Sequence, residues 1–176
     1  MQIRPRQISA AAHSAVAELA EQHLADVFRY VLYLTGDRAT ADDLTAQTFE
    51  TALRRWQRYD ARRGSERTWL CQIARSATLD HLRSEERRRR REDAYMADPS
   101  ETESGSRFSE GYSPELETAL AGLSAGEREI VALRLLLDLD AAGAAGVLGI
   151  SRTACSMRLG RALRKLEEGI GAHAAV

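Results

Sequence analysis

The run from Arg58 to Arg91, RYDARRGSERTWLCQIARSATLDHLRSEERRRRR, decides how the rest of the chain is read. A short polar loop, Tyr59 to Ser65, feeds a stretch in which Trp69, Ile73, Leu79 and Leu82 recur at helical steps, with Ser65 placed to cap the first turn. An arginine block follows that apolar face directly: Arg83, then Arg87 to Arg91. A packed scaffold that ends in dense positive charge has nucleic acid as its natural partner.

Composition agrees with a helical scaffold. The chain has 176 residues, 44% of them hydrophobic, which suffices for one ordinary core or two small ones. Aromatics are only 6% while Ala, Leu and Arg dominate, and such side chains lose little freedom in a helix. The expected fold class is all-α. The net charge of −1 conceals an uneven distribution: residues 1–97 hold 17 Arg against 14 acids, residues 98–113 one Arg against four acids, and the remainder seven basic against eight acidic residues. Phosphate binding must therefore come from local clusters. Every cation except Lys165 is Arg, which forks onto phosphate or a guanine edge, although a GC-rich genome produces the same bias.

Other function classes find little support. Cys71 and Cys155 lie far apart with no CxxC or Cys/His spacing, so no metal ligands and no cofactors are expected. Ser and His residues form no nucleophile elbow, no glycine loop cradles phosphate, and no catalytic residues are assigned, which argues against an enzyme. No apolar run approaches the roughly 18 residues of a membrane span, and the start lacks an apolar signal core, so a cytoplasmic protein without membrane insertion is expected.

Working outward, Val16, Leu19, Leu24, Val27, Phe28, Val31 and Leu34 predict one helix over residues 10–34, ended by Thr35-Gly36-Asp37. A second, capped by Thr40 with Asp43 returning a bond, buries Leu44, Thr48, Phe49, Ala52, Leu53 and Trp56. Residues 92–113 lose the periodic leucines and read as a flexible linker. Beyond it, Ser113-Pro114 starts a helix with Leu116, Leu120 and Leu123, and a capping box, Ser124 with Glu127, opens one carrying Ile130, Val131, Leu133, Leu135, Leu136 and Leu137. Asp140 caps residues 141–148, which stop at Gly149, and Ser151 caps a last helix from Arg152 to about Glu168. Short helix, tight turn and long helix are the order of a helix-turn-helix, with Val147, Leu148, Ile150, Cys155 and Leu159 as its internal contacts.

The residue order also resembles a family. Arg58-Tyr59-Asp60, Arg63-Gly64-Ser65, Thr68-Trp69-Leu70, Ile73-Ala74-Arg75 and Leu79-Asp80-His81-Leu82-Arg83 are similar to region 2 of an extracytoplasmic-function sigma factor of the sigma-70 family. Leu123-Ser124, Glu127 to Val131, Leu133-Arg134, Leu148 to Ser151, Arg158-Leu159 and Arg161 to Leu163 resemble region 4, and Ala41 to Phe49 resembles the segment that docks on the polymerase clamp. The resemblance implies a region 2 domain at 1–91, a linker at 92–113, a region 4 domain at 114–170 and a tail at 171–176.

On that resemblance Asp42, Asp43, Leu44, Gln47 and Phe49 would bind the beta-prime clamp of core RNA polymerase. Tyr59, Arg62, Arg63, Ser65, Arg67, Arg75, Ser76 and Arg83 would contact the minus-ten element, Tyr59 or Trp69 offering a stacking surface to a flipped base, although Trp69 is expected mainly in the core. Arg152, Thr153, Ser156, Met157, Arg158, Arg161 and Arg164 would read the minus-thirty-five duplex, the first of them on base edges and Arg161 and Arg164 on phosphate. The partners implied are core polymerase, promoter DNA and an anti-sigma factor.

Departures from the family pattern fall at functional places. Ala46 and Gln47 replace a usual Gln-acid pair, Ser76 stands where Asn is common, and Gly143 where Glu is usual. Gly143 and Gly146 each weaken their helix by roughly 1 kcal/mol relative to Ala. A stand-alone helix-turn-helix regulator, and a module that titrates an anti-sigma factor without initiating transcription, are the alternatives.

Overall fold

A computed structural model describes residues 9–95 and 113–174, and every regular element among them is helical. The first module is α1 (Ala10–Thr35), α2 (Arg38–Arg55), a 3-10 turn (Trp56–Arg58) and α3 (Glu66–Tyr95). The second is α4 (Pro114–Ala121), α5 (Ala125–Val131) with a wide-turn extension over Ala132–Leu136, α6 (Ala141–Leu148) and α7 (Arg152–Ala174). The predicted linker lies mainly in 96–112, outside the described residues. α3 continues four residues past the expected domain end at Arg91.

Capping chemistry explains most boundaries. α1 stops where Gly36 takes φ 67° and its N–H donates to Leu32 O, a left-handed conformation that glycine adopts without steric cost. The cap of α2 differs from the sequence expectation: Asp37, not Thr40, is the N-cap, its carboxylate accepting the Thr40 N–H at 2.7 Å. Aspartate one turn earlier wins because it brings full negative charge to the amide end of the helix. Ser113, Ser124 and Asp140 cap α4, α5 and α6, and the Ser124–Glu127 capping box is reciprocal.

The expected apolar stripes are largely buried, with three exceptions: Leu24, Leu82 and Leu135 are exposed. Leu135 turns out because the backbone widens after Val131, Leu137 N–H bonding back to Ala132 O at 2.9 Å, and a wider turn rotates each later side chain off the simple helical stripe. Asp138 then adopts φ 49°, tolerated by a short polar side chain, and the Arg134 guanidinium donates to Leu139 O to close the turn.

The two modules touch. One apolar cluster runs through both, joining Leu19, Val27, Tyr30, Val31, Leu70 and Cys71 to Ile130, Leu133, Leu137 and Cys155. α6 lies on α3, and the extension of α5 meets α1. Tyr30, absent from the predicted stripe of α1, is wholly buried at this junction, and burial raises its pKa, with Glu129 of the second module adding to the effect. Each fully buried Leu or Ile contributes roughly 1.5–3 kcal/mol of transfer free energy, so this shared core is a substantial part of what holds the observed arrangement.

Candidate polymerase and nucleic-acid surfaces

α2 sorts its residues by face. Asp42, Asp43, Ala46, Gln47 and Glu50 are exposed together, whereas Leu44 is buried in the core and Phe49 is half-buried against it. Three- and four-residue steps place the acidic and amide groups on one solvent-facing ridge. Of the five residues expected to meet the clamp, Asp42, Asp43 and Gln47 present themselves outward, while Leu44 anchors the helix.

The loop after α2 encloses a cavity of about 250 Å³, lined by Arg58, Tyr59, Asp60, Arg63, Gly64, Thr68, Trp69 and Gln72. Asp60 shapes it: its carboxylate accepts the Arg62 N–H and its carbonyl the Arg63 N–H, both at 3.0 Å, a local turn of the kind short acidic side chains favour. Ser65 closes the loop by accepting the Thr68 N–H at 3.2 Å. Trp56, Tyr59 and Trp69 form one aromatic group, Trp56 stacked on Tyr59 at 5.4 Å and Trp69 tilted against Tyr59 at 5.2 Å. The Tyr59 hydroxyl donates to Gly64 O at 3.3 Å, and desolvation, reinforced by Glu66 and Asp60, keeps the phenol protonated by raising its pKa. Trp69 is thus both packed on the core and part of the cavity wall.

The arginines of this region divide. Arg62 and Arg63 are exposed on the loop. Arg67 Nε lies 2.8 Å from Asp26 Oδ2 of α1, a charge contact without hydrogen-bond alignment. Arg75 makes a two-pronged bond to Glu129 of the second module, at 3.0 and 3.1 Å. Arg83 pairs with Asp80 at 3.1 Å in solvent. Ser76 is exposed, its hydroxyl donating back to Gln72 O. In the terminal block Arg88 and Arg90 bond to Glu85 and Glu86 of the same helix at 2.8 and 2.7 Å, which lowers the positive field that the sequence alone suggests.

In the second module, Gly149 takes φ 66° between α6 and α7, and Ile150 N–H returns to Ala145 O at 3.1 Å. Ser151 accepts the Ala154 N–H at 3.1 Å and starts α7. Cys155, Ala162 and Leu166 are buried against the module, and burial raises the Cys155 pKa. Cys71 is likewise buried, its thiol pushed up to about 12, so both cysteines are packing residues with inert thiols. Arg152, Thr153, Ser156, Met157, Arg161 and Arg164 are all exposed, and their spacing makes one continuous outward face. Arg158 is half-buried and lies over Gly126, its Nη1 only 3.3 Å from where a β-carbon would stand. Below it, Lys165 bonds to Glu127 at 2.8 Å; together with the Ser124 N–H this holds the Glu127 carboxyl down to about 2.

Sequence reasoning left out Trp56, placed only in the core stripe, and Gln72, Thr68, Asp60 and Arg58 of the cavity wall. The signal was there for two of them: Thr68, Gln72 and Arg75 follow at helical steps of four and three, which sets them on one side of α3.

Residues 19–88 match Sigma-70 region 2 and residues 113–166 match Sigma-70, region 4. Over 139 residues, 78% of this chain and 73% of the relative, it is 39% identical to the probable RNA polymerase sigma-C factor of Mycobacterium bovis. It is 35% identical over 155 residues, 86% of this chain and 59% of the relative, to the ECF RNA polymerase sigma factor BldN of Streptomyces coelicolor. The chain belongs to the extracytoplasmic-function sigma factors.

The fold is shared with the sigma factor RpoE of Bartonella quintana, solved with the anti-sigma factor NepR, at a TM-score of 0.66 and 20% identity over 88% of this chain and 96% of that one. CnrH, solved with the cytosolic domain of CnrY, gives 0.66 at 22% identity over 91% and 90%. Sigma factors bind RNA polymerase and promoter DNA and direct initiation at chosen promoters; they are not enzymes. Among the described residues no helix is long and apolar enough to cross a membrane.

Proposed function

We propose that the three surfaces divide the work of initiation. The exposed ridge of α2, with Asp42, Asp43 and Gln47, docks on a basic clamp surface of core polymerase. The aromatic cavity and Arg62, Arg63 and the α3 face receive the unpaired minus-ten strand, where a base can be held by polar groups and aromatic walls. The outward face of α7 enters the major groove of the minus-thirty-five element, Arg152, Thr153, Ser156 and Met157 near base edges and Arg161 and Arg164 near phosphate. Residues 1–91 and 114–170 act as separate units in this scheme. No side chain has to break a bond, because binding the separated strand meets the cost of unpairing.

The observation that carries the reading is the sorting of α2: its apolar residues are buried while its acidic and amide groups form an exposed ridge that a stand-alone duplex regulator does not need. An anti-sigma factor, as in the RpoE–NepR and CnrH–CnrY complexes, is the expected controlling partner, and action is expected in the cytoplasm, where polymerase is.

Run-off transcription of fragmented genomic DNA with purified core polymerase, with and without the protein, tests this. Protein-dependent starts that share two spaced upstream motifs are expected. Binding to core without new transcripts would instead support a titrating module, and absence of core binding a stand-alone regulator.

A further inference from the structure

We infer that Met157 reads the 5-methyl group of a thymine in the minus-thirty-five duplex, and so specifies one base pair of the promoter by an apolar contact. The inference rests on the proposed entry of α7 into the major groove.

At 64% Met157 is the most exposed large hydrophobic residue among the described residues, ahead of Leu135 at 54% and Leu24 at 50%. A lone exposed apolar side chain is ordinary on a protein surface; what marks Met157 is its place. Cys155, two positions earlier, is buried at 1% exposure, and two steps around a 3.6-residue turn carry Met157 to the opposite side of α7. Thr153 and Arg161, four positions before and after it, and Arg164, seven after, share that outward side and are exposed. Gly160, three positions on, leaves the flank of the thioether bare: a β-carbon there would meet only Arg164 Nη1, at 3.8 Å.

Charge identifies the partner. Arg152, Arg161 and Arg164 form no ion pair among the described residues, and no acidic residue occurs from Arg152 to Lys165. Free guanidinium groups around an apolar tip suit a polyanion that carries an apolar spot, and duplex DNA is one. In the major groove the base edges offer hydrogen-bond donors and acceptors, and the 5-methyl of thymine is the apolar group among them.

Met157 also differs from its neighbours in what it can offer. Arg152 donates hydrogen bonds, and the hydroxyls of Thr153 and Ser156 both donate and accept, whereas a thioether is only a weak acceptor. Polar base edges therefore gain little from it, and a methyl group gains most. Met157 stands about 7.5 Å along the axis from Arg152, within the N-terminal turns by which a recognition helix reaches base edges. Arg158 does not compete for that place: it is half-buried and leans toward α5, its Nη1 3.3 Å from where a β-carbon of Gly126 would stand. The methyl of Thr153 is the rival reader of a thymine, and an acidic protein surface with an apolar anchor is the rival partner.

The test starts with the full chain and core polymerase selecting duplexes from a pool of random sequence. The enriched upstream motif is then synthesised with deoxyuridine in place of each thymine in turn, which removes one methyl group and leaves every hydrogen-bonding group of the base in place. Wild-type protein should bind about fourfold more weakly when one particular thymine is replaced, the effect of one buried methyl group. Met157→Leu, which keeps an apolar tip, should retain that discrimination. Met157→Gln, similar in length but polar, should bind the thymine and deoxyuridine duplexes alike. Thr153→Ser, which removes the rival methyl and keeps the hydroxyl, should leave the discrimination intact. Because Met157 is exposed, neither of its substitutions should shift thermal melting.

A motif without thymine, indifference of the wild type to deoxyuridine at every position, or discrimination that survives in Met157→Gln or vanishes in Thr153→Ser would overturn the assignment. If Met157→Gln lost affinity for core polymerase or for a partner protein and left the deoxyuridine series unchanged, Met157 would be a protein contact instead. If no motif were enriched at all, the entry of α7 into the groove would fail, and the methyl contact with it.

Discussion

α3 and α7 are both long, arginine-bearing helices, yet their cations stand in opposite conditions. On α3, Arg67, Arg75, Arg83, Arg88 and Arg90 each lie against a carboxylate of α1, of the second module or of α3 itself. On α7, Arg152, Arg161 and Arg164 are exposed and form no ion pair among the described residues. A phosphate arriving at these α7 residues meets free guanidinium groups; one arriving at Arg67, Arg75, Arg83, Arg88 or Arg90 of α3 must displace a partner. The difference teaches that counting arginines along a sequence does not measure the field they project, because the nearest carboxylate is often supplied by another helix.

Four experiments break or sharpen this contrast. The largest effect is expected at Leu133, wholly buried in the extension of α5: Leu133→Ala should cost about 2–5 kcal/mol in urea denaturation and take duplex binding with it at moderate temperature, while the α2 ridge still binds core polymerase. Equal loss of both activities would show that the modules do not fold as distinct units.

Next comes the seat of α7. A β-carbon at Gly169 would lie 2.9 Å from Ala119 Cβ of α4, so Gly169→Ala should destabilise the second module by about 1–3 kcal/mol. At Gly160 the same methyl would meet only the flexible end of Arg164 at 3.8 Å, and Gly160→Ala should stabilise by up to about 1 kcal/mol. Thermal melts of the two variants should therefore move in opposite directions.

The charge contrast itself is read from salt dependence. Arg161→Ala and Arg164→Ala should each reduce the slope of log affinity against log salt for a minus-thirty-five duplex by about 1, as expected for the loss of one phosphate contact. Arg83→Ala, which removes a solvent-exposed pair on α3, should leave that slope unchanged. A similar change from Arg83 would erase the distinction between the helices.

The smallest effect is in pH. Glu127 is held down to about 2 by its bond to Lys165 and by the Ser124 N–H, against an ordinary value of 4.5. A carboxyl depressed in the folded state gives stability that is fully present above about 4.5 and is lost as the pH falls toward about 2. Denaturation midpoints of the second module should fall through that window, and Glu127→Gln should flatten the fall. In the first module Asp37, lowered by its bonds to Thr40, acts in the same direction from a solvent-exposed position.

Much of this was legible in the chain. Val16, Leu19, Val27 and Val31 announced α1 by period; Ser113-Pro114 and the Ser124–Glu127 pair announced α4 and α5 by capping chemistry; Gly149 announced the turn by its conformational freedom. Those are local signals, settled by groups within one or two helical turns. Asp37 outcompeted Thr40 as a cap because two good capping residues lay one turn apart and the charged one prevailed. Leu135 faced outward because the widened turn after Val131 has no mark in residue period.

By itself the sequence determined the helices, several of their caps, the all-α class, the helix-turn-helix and most of the outward face of α7, since period, caps and turns act between near neighbours in the chain. Only the tertiary structure decided that Arg75 meets Glu129, that Trp56 joins Tyr59 and Trp69, and that Gly143 and Gly146 serve an approach to α3 instead of merely loosening α6. Most of those contacts join residues from different helices, and the pairing of Gln72 with Gly146 spans 74 positions. They depend on which helix faces packing has brought together, and no local propensity encodes that.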